Sequence, residues 1–132
     1  MAEVSNNHLM LGHIMQWFYE GLGGIQQAEN STGYKQIVIK PEVVGDITYV
    51  NANHQTLYGN IVSRWKKMDA GYELNVEIPA NTTAIIYLPT MVIKSVTESG
   101  RPVSNNKDLV ATIEKSKVKI KVGSGKYYFK IR

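Results

Sequence analysis

The sequence has 132 residues, of which 43% are hydrophobic and 20% charged, as in an ordinary folded domain with its own core. It contains no cysteine, which excludes disulfides, thiolate catalysis and cysteine-bound metal centres. The formal net charge is +4, and no apolar run approaches the roughly 20 residues that cross a bilayer. We therefore expect no membrane partner.

The basic excess is confined to the last part of the sequence. Seven of the 15 basic residues and none of the 11 acidic residues lie from residue 115 onwards, so the rest of the chain is slightly acidic. Lys115, Lys117, Lys119 and Lys121 alternate with Ser116, Val118 and Ile120, which is the period of a strand with one solvated face. We interpret these lysines as such a face and expect no nucleic-acid partner.

Residues 6–22 form the predicted N-terminal α-helix. Ser5 or Asn6 can cap its start, and glycines at positions 21, 23 and 24 can end it. An apolar stripe follows helical spacing through Leu11, Ile14, Met15, Phe18 and Leu22. Because Leu9, Met10 and Trp17 lie off that stripe, the helix needs cover on two sides. We expect it to contact a larger helical assembly, its own β-domain or a second copy of the chain.

After Gly33 the pattern changes to short alternating runs separated by Pro, Gly, Asn and Asp, which is typical of antiparallel β-domains. Gln26–Thr32 is interpreted as a linker. The predicted fold is a mainly β, jelly-roll-like antiparallel sandwich at residues 33–132 preceded by a helical segment at residues 1–25, with a closed barrel as the runner-up. The predicted strands are Tyr34–Lys40, Ile47–His54, Leu57–Lys67, Tyr72–Ile78, Thr83–Leu88, Met91–Glu98, Leu109–Glu114, Lys117–Val122 and Lys126–Arg132.

Short motifs follow one another along nearly the whole chain. The helix region carries Ser5–His8, Gly12–Ile14, Trp17–Tyr19 and Leu22–Ile25. The later motifs are Gly33–Pro41, Tyr58–Trp65, Ile78–Pro89 and Val122–Phe129. In this order they resemble the C-terminal region of bacterial α-L-rhamnosidases, glycoside hydrolase family 78. In that family an (α/α)6 barrel cleaves terminal α-L-rhamnose with inversion, and a β-sandwich follows it. The resemblance implies that this chain holds the last barrel helix and the whole sandwich.

The resemblance also implies one substrate contact, His8, since the family has a histidine at this motif position near the sugar-binding end of the barrel. A neutral imidazole there can hydrogen-bond a sugar hydroxyl, but only in a complete barrel. Read by itself, His8 is a residue at the start of a helix that makes a local hydrogen bond. The family's catalytic acid and base lie upstream of this chain.

The acidic residues do not predict a catalytic pair. Inverting hydrolysis needs two carboxyl groups roughly 6.5–9.5 Å apart. Glu73 and Glu77 lie at outward strand positions, while Asp46 and Asp69 lie in turns. Glu20 is beside apolar residues but has no partner acid. We therefore assign no catalytic residue to this chain.

Metal and cofactor motifs are also missing from the sequence. His8 and His13 are about 140° apart around a helix, so they do not share a metal, and His54 stands alone in a predicted strand. We expect no metal and no cofactor. The N-terminus lacks the layout of a signal peptide, so any secretion signal belongs to a longer parent chain and the localisation stays open.

The sequence leaves three candidate functions for this chain. The first is a non-catalytic module that supports the rhamnosidase barrel, whose substrates are rhamnose-containing glycosides. The second is a carbohydrate-binding module that uses the exposed tyrosines Tyr58, Tyr87 and Tyr128. The third, a complete small glycosidase, is disfavoured by the missing acid pair. Four other aromatic residues share strand faces with Leu, Ile or Val and are predicted to belong to the core, namely Trp65, Tyr72, Tyr127 and Phe129.

Overall fold

The computed structural model describes residues 24–27, 35–41, 48–69 and 71–132, in which eleven strands and two short 3-10 helices are found. The predicted helix at residues 6–22 lies outside the described residues. The 3-10 helices are Ile93–Ser95 and Val103–Asn105. The strands are β1 Ile25–Gln27, β2 Gln36–Ile39, β3 Tyr49–Thr56, β4 Gly59–Met68, β5 Gly71–Ile78, β6 Thr83–Leu88, β7 Val96–Glu98, β8 Arg101–Pro102, β9 Val110–Glu114, β10 Lys117–Val122 and β11 Gly125–Ile131.

The strands form two sheets. The five-stranded sheet has the order β1-β2-β6-β10-β9, and the six-stranded sheet has the order β3-β4-β5-β11-β7-β8. Neighbouring strands are antiparallel except β2 and β6, which run parallel. Each sheet keeps two separate edge strands, so the predicted antiparallel sandwich is confirmed and the closed barrel is wrong.

The core lies between the two sheets because each strand points alternate side chains inward. In β10, Val118, Ile120 and Val122 are buried, and the lysines between them face outward. The inward residues of both sheets join in one apolar cluster that includes Ile37, Ile39, Trp65, Leu74, Val76, Ile86, Leu88 and Phe129. The predicted solvated lysine face is confirmed for Lys117, Lys119 and Lys121.

Two predicted segments differ from the structure. The linker interpretation of Gln26–Thr32 is wrong at its start, because Gln26 and Gln27 belong to β1 and pair with Val38 and Ile37 of β2. The single strand predicted at Met91–Glu98 is also wrong. The chain first turns through the 3-10 helix Ile93–Ser95, and only then enters β7.

The Lys115 position is a third difference. Lys115 and Ser116 have φ values of 51° and 65° and form the two-residue turn between β9 and β10. Two consecutive positive φ values define the tight hairpin turn that matches the twist of antiparallel strands. Lys115 therefore belongs to the turn and not to the lysine face of β10.

Gly24 fixes the position of β1 against the end of β2. Its φ is +74°, and its carbonyl oxygen accepts a 2.7 Å hydrogen bond from the Lys40 backbone N–H. A Cβ at this position would lie 2.2 Å from the carbonyl carbon of Lys40. Glycine is therefore required here for both its backbone conformation and its small size.

Candidate functional site

The residues that the sequence singled out for chemistry fall into two groups. His8 and Glu20 lie outside the described residues, as do His13 and Asp46. His54 lies in β3 opposite Ile61, and partial burial lowers the pKa of its imidazole by desolvation. Within the described ranges, no three of His, Asp and Glu lie together as a metal site, and no helix is long and apolar enough to span a membrane.

Three of the four aromatic residues predicted to be core are buried. Trp65 is 1% exposed and stacks on Tyr72 with ring centroids 5.8 Å apart. Phe129 is fully buried and stacks on Tyr127 with ring centroids 6.1 Å apart. Tyr127 is only half-buried: it packs against the edge of the apolar cluster and lines a depression in the surface.

The three tyrosines proposed as sugar contacts lie on separate surfaces. Tyr58 is in the tight β3–β4 turn, where its backbone N–H bonds the Thr56 hydroxyl at 3.1 Å. Tyr87 lies on the outer face of the five-stranded sheet, and Tyr128 lies on the outer face of the six-stranded sheet. The structure therefore does not bring them together as one aromatic platform.

Tyr87 belongs to a polar cluster, which we call the tyrosine network: Tyr87, Glu114 and Lys119 are hydrogen-bonded, and Lys40 lies over the Tyr87 ring. The Tyr87 hydroxyl donates to Glu114 at 2.5 Å, and the Lys119 ammonium bonds the same carboxylate at 3.3 Å. The Lys40 ammonium lies 5.6 Å from the Tyr87 ring centroid. The network therefore links β6, β9 and β10 to the residue that follows β2.

The network changes the acidity of its members. Desolvation and then the hydrogen bond to Glu114 raise the pKa of Tyr87 to about 12. Hydrogen bonds from Tyr87 and Lys119 lower the pKa of the Glu114 carboxyl. The neutral phenol and the ionised carboxylate are thus the paired forms near neutral pH.

The outer face of the six-stranded sheet is arranged in cross-strand rows. On its β4, β5 and β11 strands, Arg64 and Tyr128 flank Asn75, and Val62 and Lys126 flank Glu77. A third row places Lys66 and Lys130 on either side of Glu73. We call this surface the polar face; its nine residues are Val62, Arg64, Lys66, Glu73, Asn75, Glu77, Lys126, Tyr128 and Lys130.

An open depression lies in the polar face. It has a volume of about 80 Å³, and its lining includes Val62, Arg64, Asn75, Glu77 and Lys126. At one side the Tyr128 hydroxyl donates to Glu73 at 2.6 Å, which raises the pKa of that tyrosine. Sequence reasoning missed this site, because alternation showed which side chains point outward but not which strands are neighbours.

The two acids of the polar face are separated along one strand. Glu73 and Glu77 lie four residues apart on β5, so their Cα atoms are about 13 Å apart at the rise of an extended strand. Glu73 accepts the hydrogen bond from Tyr128, whereas Glu77 lines the depression, which Glu73 does not. The two carboxylates therefore have separate surroundings and do not line the depression as a pair.

Residues 24–101 match the sequence profile of the family described as "Bacterial alpha-L-rhamnosidase C-terminal domain". The chain belongs to this family. The match runs from Gly24, which precedes β1, to Arg101 in β8, and thus covers strands of both sheets. The α-L-rhamnosidase resemblance read from the sequence motifs is confirmed.

Relatives of this rhamnosidase C-terminal domain are much longer proteins. Two α-L-rhamnosidases of Formosa agariphila are 31% and 36% identical to it over 93% and 97% of the chain. Solved α-L-rhamnosidases from Streptomyces avermitilis, complexed with L-rhamnose, and Dictyoglumus thermophilum are 28% identical, with TM-scores of 0.78 and 0.80 over 96% and 97% of the chain. The chain spans only 11–14% of the length of these four proteins.

Proposed function

We propose that this chain is the non-catalytic C-terminal β-sandwich of an α-L-rhamnosidase, where it supports a catalytic (α/α)6 barrel that hydrolyses terminal α-L-rhamnose. The observation that carries the proposal is the coverage. Nearly the whole chain matches α-L-rhamnosidases, yet it corresponds to 13% and 14% of the two Formosa agariphila relatives. A segment of that size holds one sandwich, and the catalytic acids are assigned to the rest of the enzyme.

The proposed division of the chain follows the resemblance. The segment 1–25 supplies a helix, predicted at residues 6–22, that derives from the barrel. Residues 33–132 supply the sandwich, to which β1 at Ile25–Gln27 adds an edge strand. The helix docks on the parent barrel or, without it, on a second copy, because its apolar circumference is unfavourable in water. In a complete barrel, His8 contacts the sugar. The helix and the His8 contact lie outside the described residues, and all these assignments remain predictions.

The alternative, a carbohydrate-binding module built on tyrosines, is not favoured by the geometry. Tyr87 and Tyr128 use their hydroxyls in hydrogen bonds to Glu114 and Glu73 on opposite faces of the sandwich. Sugar stacking needs an accessible ring with neighbours on the same surface. No such group of tyrosines occurs among the described residues.

The catalytic part of the proposal is tested by assaying the 132-residue chain with an aryl α-L-rhamnoside. We expect no turnover above the uncatalysed rate. Turnover that disappears in Glu20→Ala or His8→Ala would contradict the proposal and support a complete small glycosidase. Turnover that survives both substitutions would point to a contaminating enzyme, which the same assay on an empty-vector preparation identifies.

The supporting role is tested in the Streptomyces avermitilis relative, from which the matching segment is deleted. We expect a lower midpoint of thermal unfolding and a reduced rate of rhamnoside hydrolysis. An unchanged midpoint and rate would overturn the supporting role. Sedimentation of the 132-residue chain tests the pairing of two copies, and a strict monomer with a protease-sensitive segment at residues 1–25 would count against docking of the helix.

A further inference from the structure

The polar face carries side chains that the described part of the chain leaves without partners. Arg64, Asn75, Glu77 and Lys126 form no ion pair and no side-chain hydrogen bond with any described residue. They come from three adjacent strands, and direct cross-strand neighbours lie about 4.5–5.5 Å apart at Cα. Their hydrogen-bonding groups therefore converge on one small area that is open to a ligand.

The volume of the depression limits how much of a ligand it can hold. Its volume is about 80 Å³, and a cavity needs roughly 10–15 Å³ to hold one water, so it has room for a few waters or one edge of a sugar ring and not for a whole buried ligand. Val62 lies between the polar groups and is only 6% exposed. A ring edge seated there would find an apolar contact beneath it and polar groups around it, which matches the mixed surface of a pyranose.

The charged side chains of the polar face indicate what kind of ligand it binds. The polar face holds four basic residues, Arg64, Lys66, Lys126 and Lys130, against the two acids Glu73 and Glu77. Arg64 offers the planar fork that binds a carboxylate with two hydrogen bonds. Glu77 needs donors, which sugar hydroxyls provide, and the Asn75 amide both donates and accepts.

We propose that the polar face binds an acidic oligosaccharide, a chain of pyranose rings that bear carboxylates. Arg64 and Lys126 bind the carboxylate, Asn75 and Glu77 bind ring hydroxyls, and Val62 packs against the ring edge. A single-stranded nucleic acid fits less well, because successive bases need several exposed stacking rings, whereas the polar face holds one tyrosine, Tyr128, whose hydroxyl is bonded to Glu73. This proposal stands independently of the barrel-supporting role.

The test is a titration of the 132-residue chain with tri-galacturonate, followed by amide chemical shifts. We expect shifts confined to β4, β5 and β11 and an affinity that falls at least about tenfold in Arg64→Ala/Lys126→Ala. Asn75→Ala should weaken binding by about threefold. The matched control is Lys121→Ala, which removes an exposed positive charge from the other sheet and should leave the affinity unchanged. Circular dichroism checks that each variant is folded.

Four results would overturn the proposal. One is the lack of any shift at millimolar tri-galacturonate. A second is equal binding of neutral cellotriose, which would remove the role of charge. A third is a loss of affinity in Lys121→Ala as large as that in the double variant, which would indicate general charge attraction. The last is equally tight binding of a thymidine hexanucleotide that depends on the same residues.

Discussion

The outer faces of the two sheets contain the same kinds of side chain, but those side chains differ in how far they bond one another. In the tyrosine network, Tyr87, Glu114 and Lys119 bond one another and hold three strands together. On the polar face, the hydrogen bond of Tyr128 to Glu73 is at one side, and Arg64 and Lys126 are left to water. Polar residues on the outer face of a sheet thus either bond one another and stabilise the sheet or stay available for a ligand.

A substitution in the interior of the six-stranded sheet should lower the unfolding free energy far more than one on its polar face. Trp65→Ala removes a ring that is 1% exposed and should cost about 3–5 kcal/mol of unfolding free energy. Arg64→Ala, one residue earlier on the outward side, should change it by about 0.5 kcal/mol or less. Urea unfolding of the two variants measures both values. Similar losses would mean that the polar face is structural.

The second prediction concerns the edge of the five-stranded sheet. Gly24→Ala forces a left-handed conformation on alanine, which alone costs about 1–2 kcal/mol, and it adds the clash with the Lys40 backbone. Gly123→Ala is the matched control, because a Cβ there meets nothing within 4 Å. Thermal unfolding should be strongly shifted in the first variant only. An equal shift in both would refute the close packing of β1 on the end of β2.

The third prediction compares the two tyrosines directly. Tyr87→Phe removes the hydroxyl that bonds Glu114 and should lower the midpoint of thermal unfolding by about 2–4 °C. Tyr128→Phe removes the equivalent bond to Glu73 and should have a smaller effect, because that pair is not part of a larger network. A larger loss in Tyr128→Phe would reverse the distinction between the two faces.

The fourth prediction is the pH dependence of the tyrosine network. The pKa of Glu114 is lowered by folding, so its contribution is present above the ordinary value of 4.5 and is lost as pH falls through the folded pKa. The pKa of Tyr87 is raised to about 12, so its contribution is present below 10 and is lost as pH rises towards 12. The stability difference between the parent chain and Glu114→Gln should therefore shrink at acidic pH. A stability difference between the two proteins that stays constant from pH 7 to pH 3 would contradict the role of ionised Glu114 in the tyrosine network.

Residues better suited to the turn between β9 and β10 should slightly stabilise the domain. Lys115→Asn with Ser116→Gly places residues suited to positive φ in the hairpin turn that sets Glu114 beside Lys119. The double variant should gain about 0.5–1 kcal/mol of unfolding free energy, because relief of the left-handed strain at both positions outweighs the chain entropy that glycine adds to the unfolded state. Urea unfolding tests this, with Lys121→Ala as a control for the lost charge. A destabilised double variant would show that the turn is not of the two-residue hairpin type.

Several strands could be predicted from the local pattern of apolar and polar residues. Thr83–Leu88 and Lys117–Val122 were predicted with the observed bounds, because strict alternation and flanking turns mark both ends of each strand. β1 was missed since three residues after a glycine run carry too little pattern. It is a strand because β2 pairs with it, which is a tertiary effect.

The candidate site was less predictable for a related reason. Arg64, Asn75 and Lys126 were each recognisable as outward residues of predicted strands. Their convergence depends on β11 pairing with β5, two strands that are about 50 residues apart in the chain. No alternation pattern encodes that choice of neighbour. The parallel pairing of β2 with β6 was not predicted for the same reason.

The position of β11 inside the six-stranded sheet affects how the chain folds during its synthesis. This strand follows all other described strands in sequence but lies between β5 and β7 inside the six-stranded sheet. While the ribosome is still making β11, β5 and β7 face a gap with open backbone groups, and the earlier strands cannot complete their fold. Native structure should therefore appear late, after nearly the whole domain has emerged, and a stalled nascent chain that lacks β11 should be a substrate for chaperones.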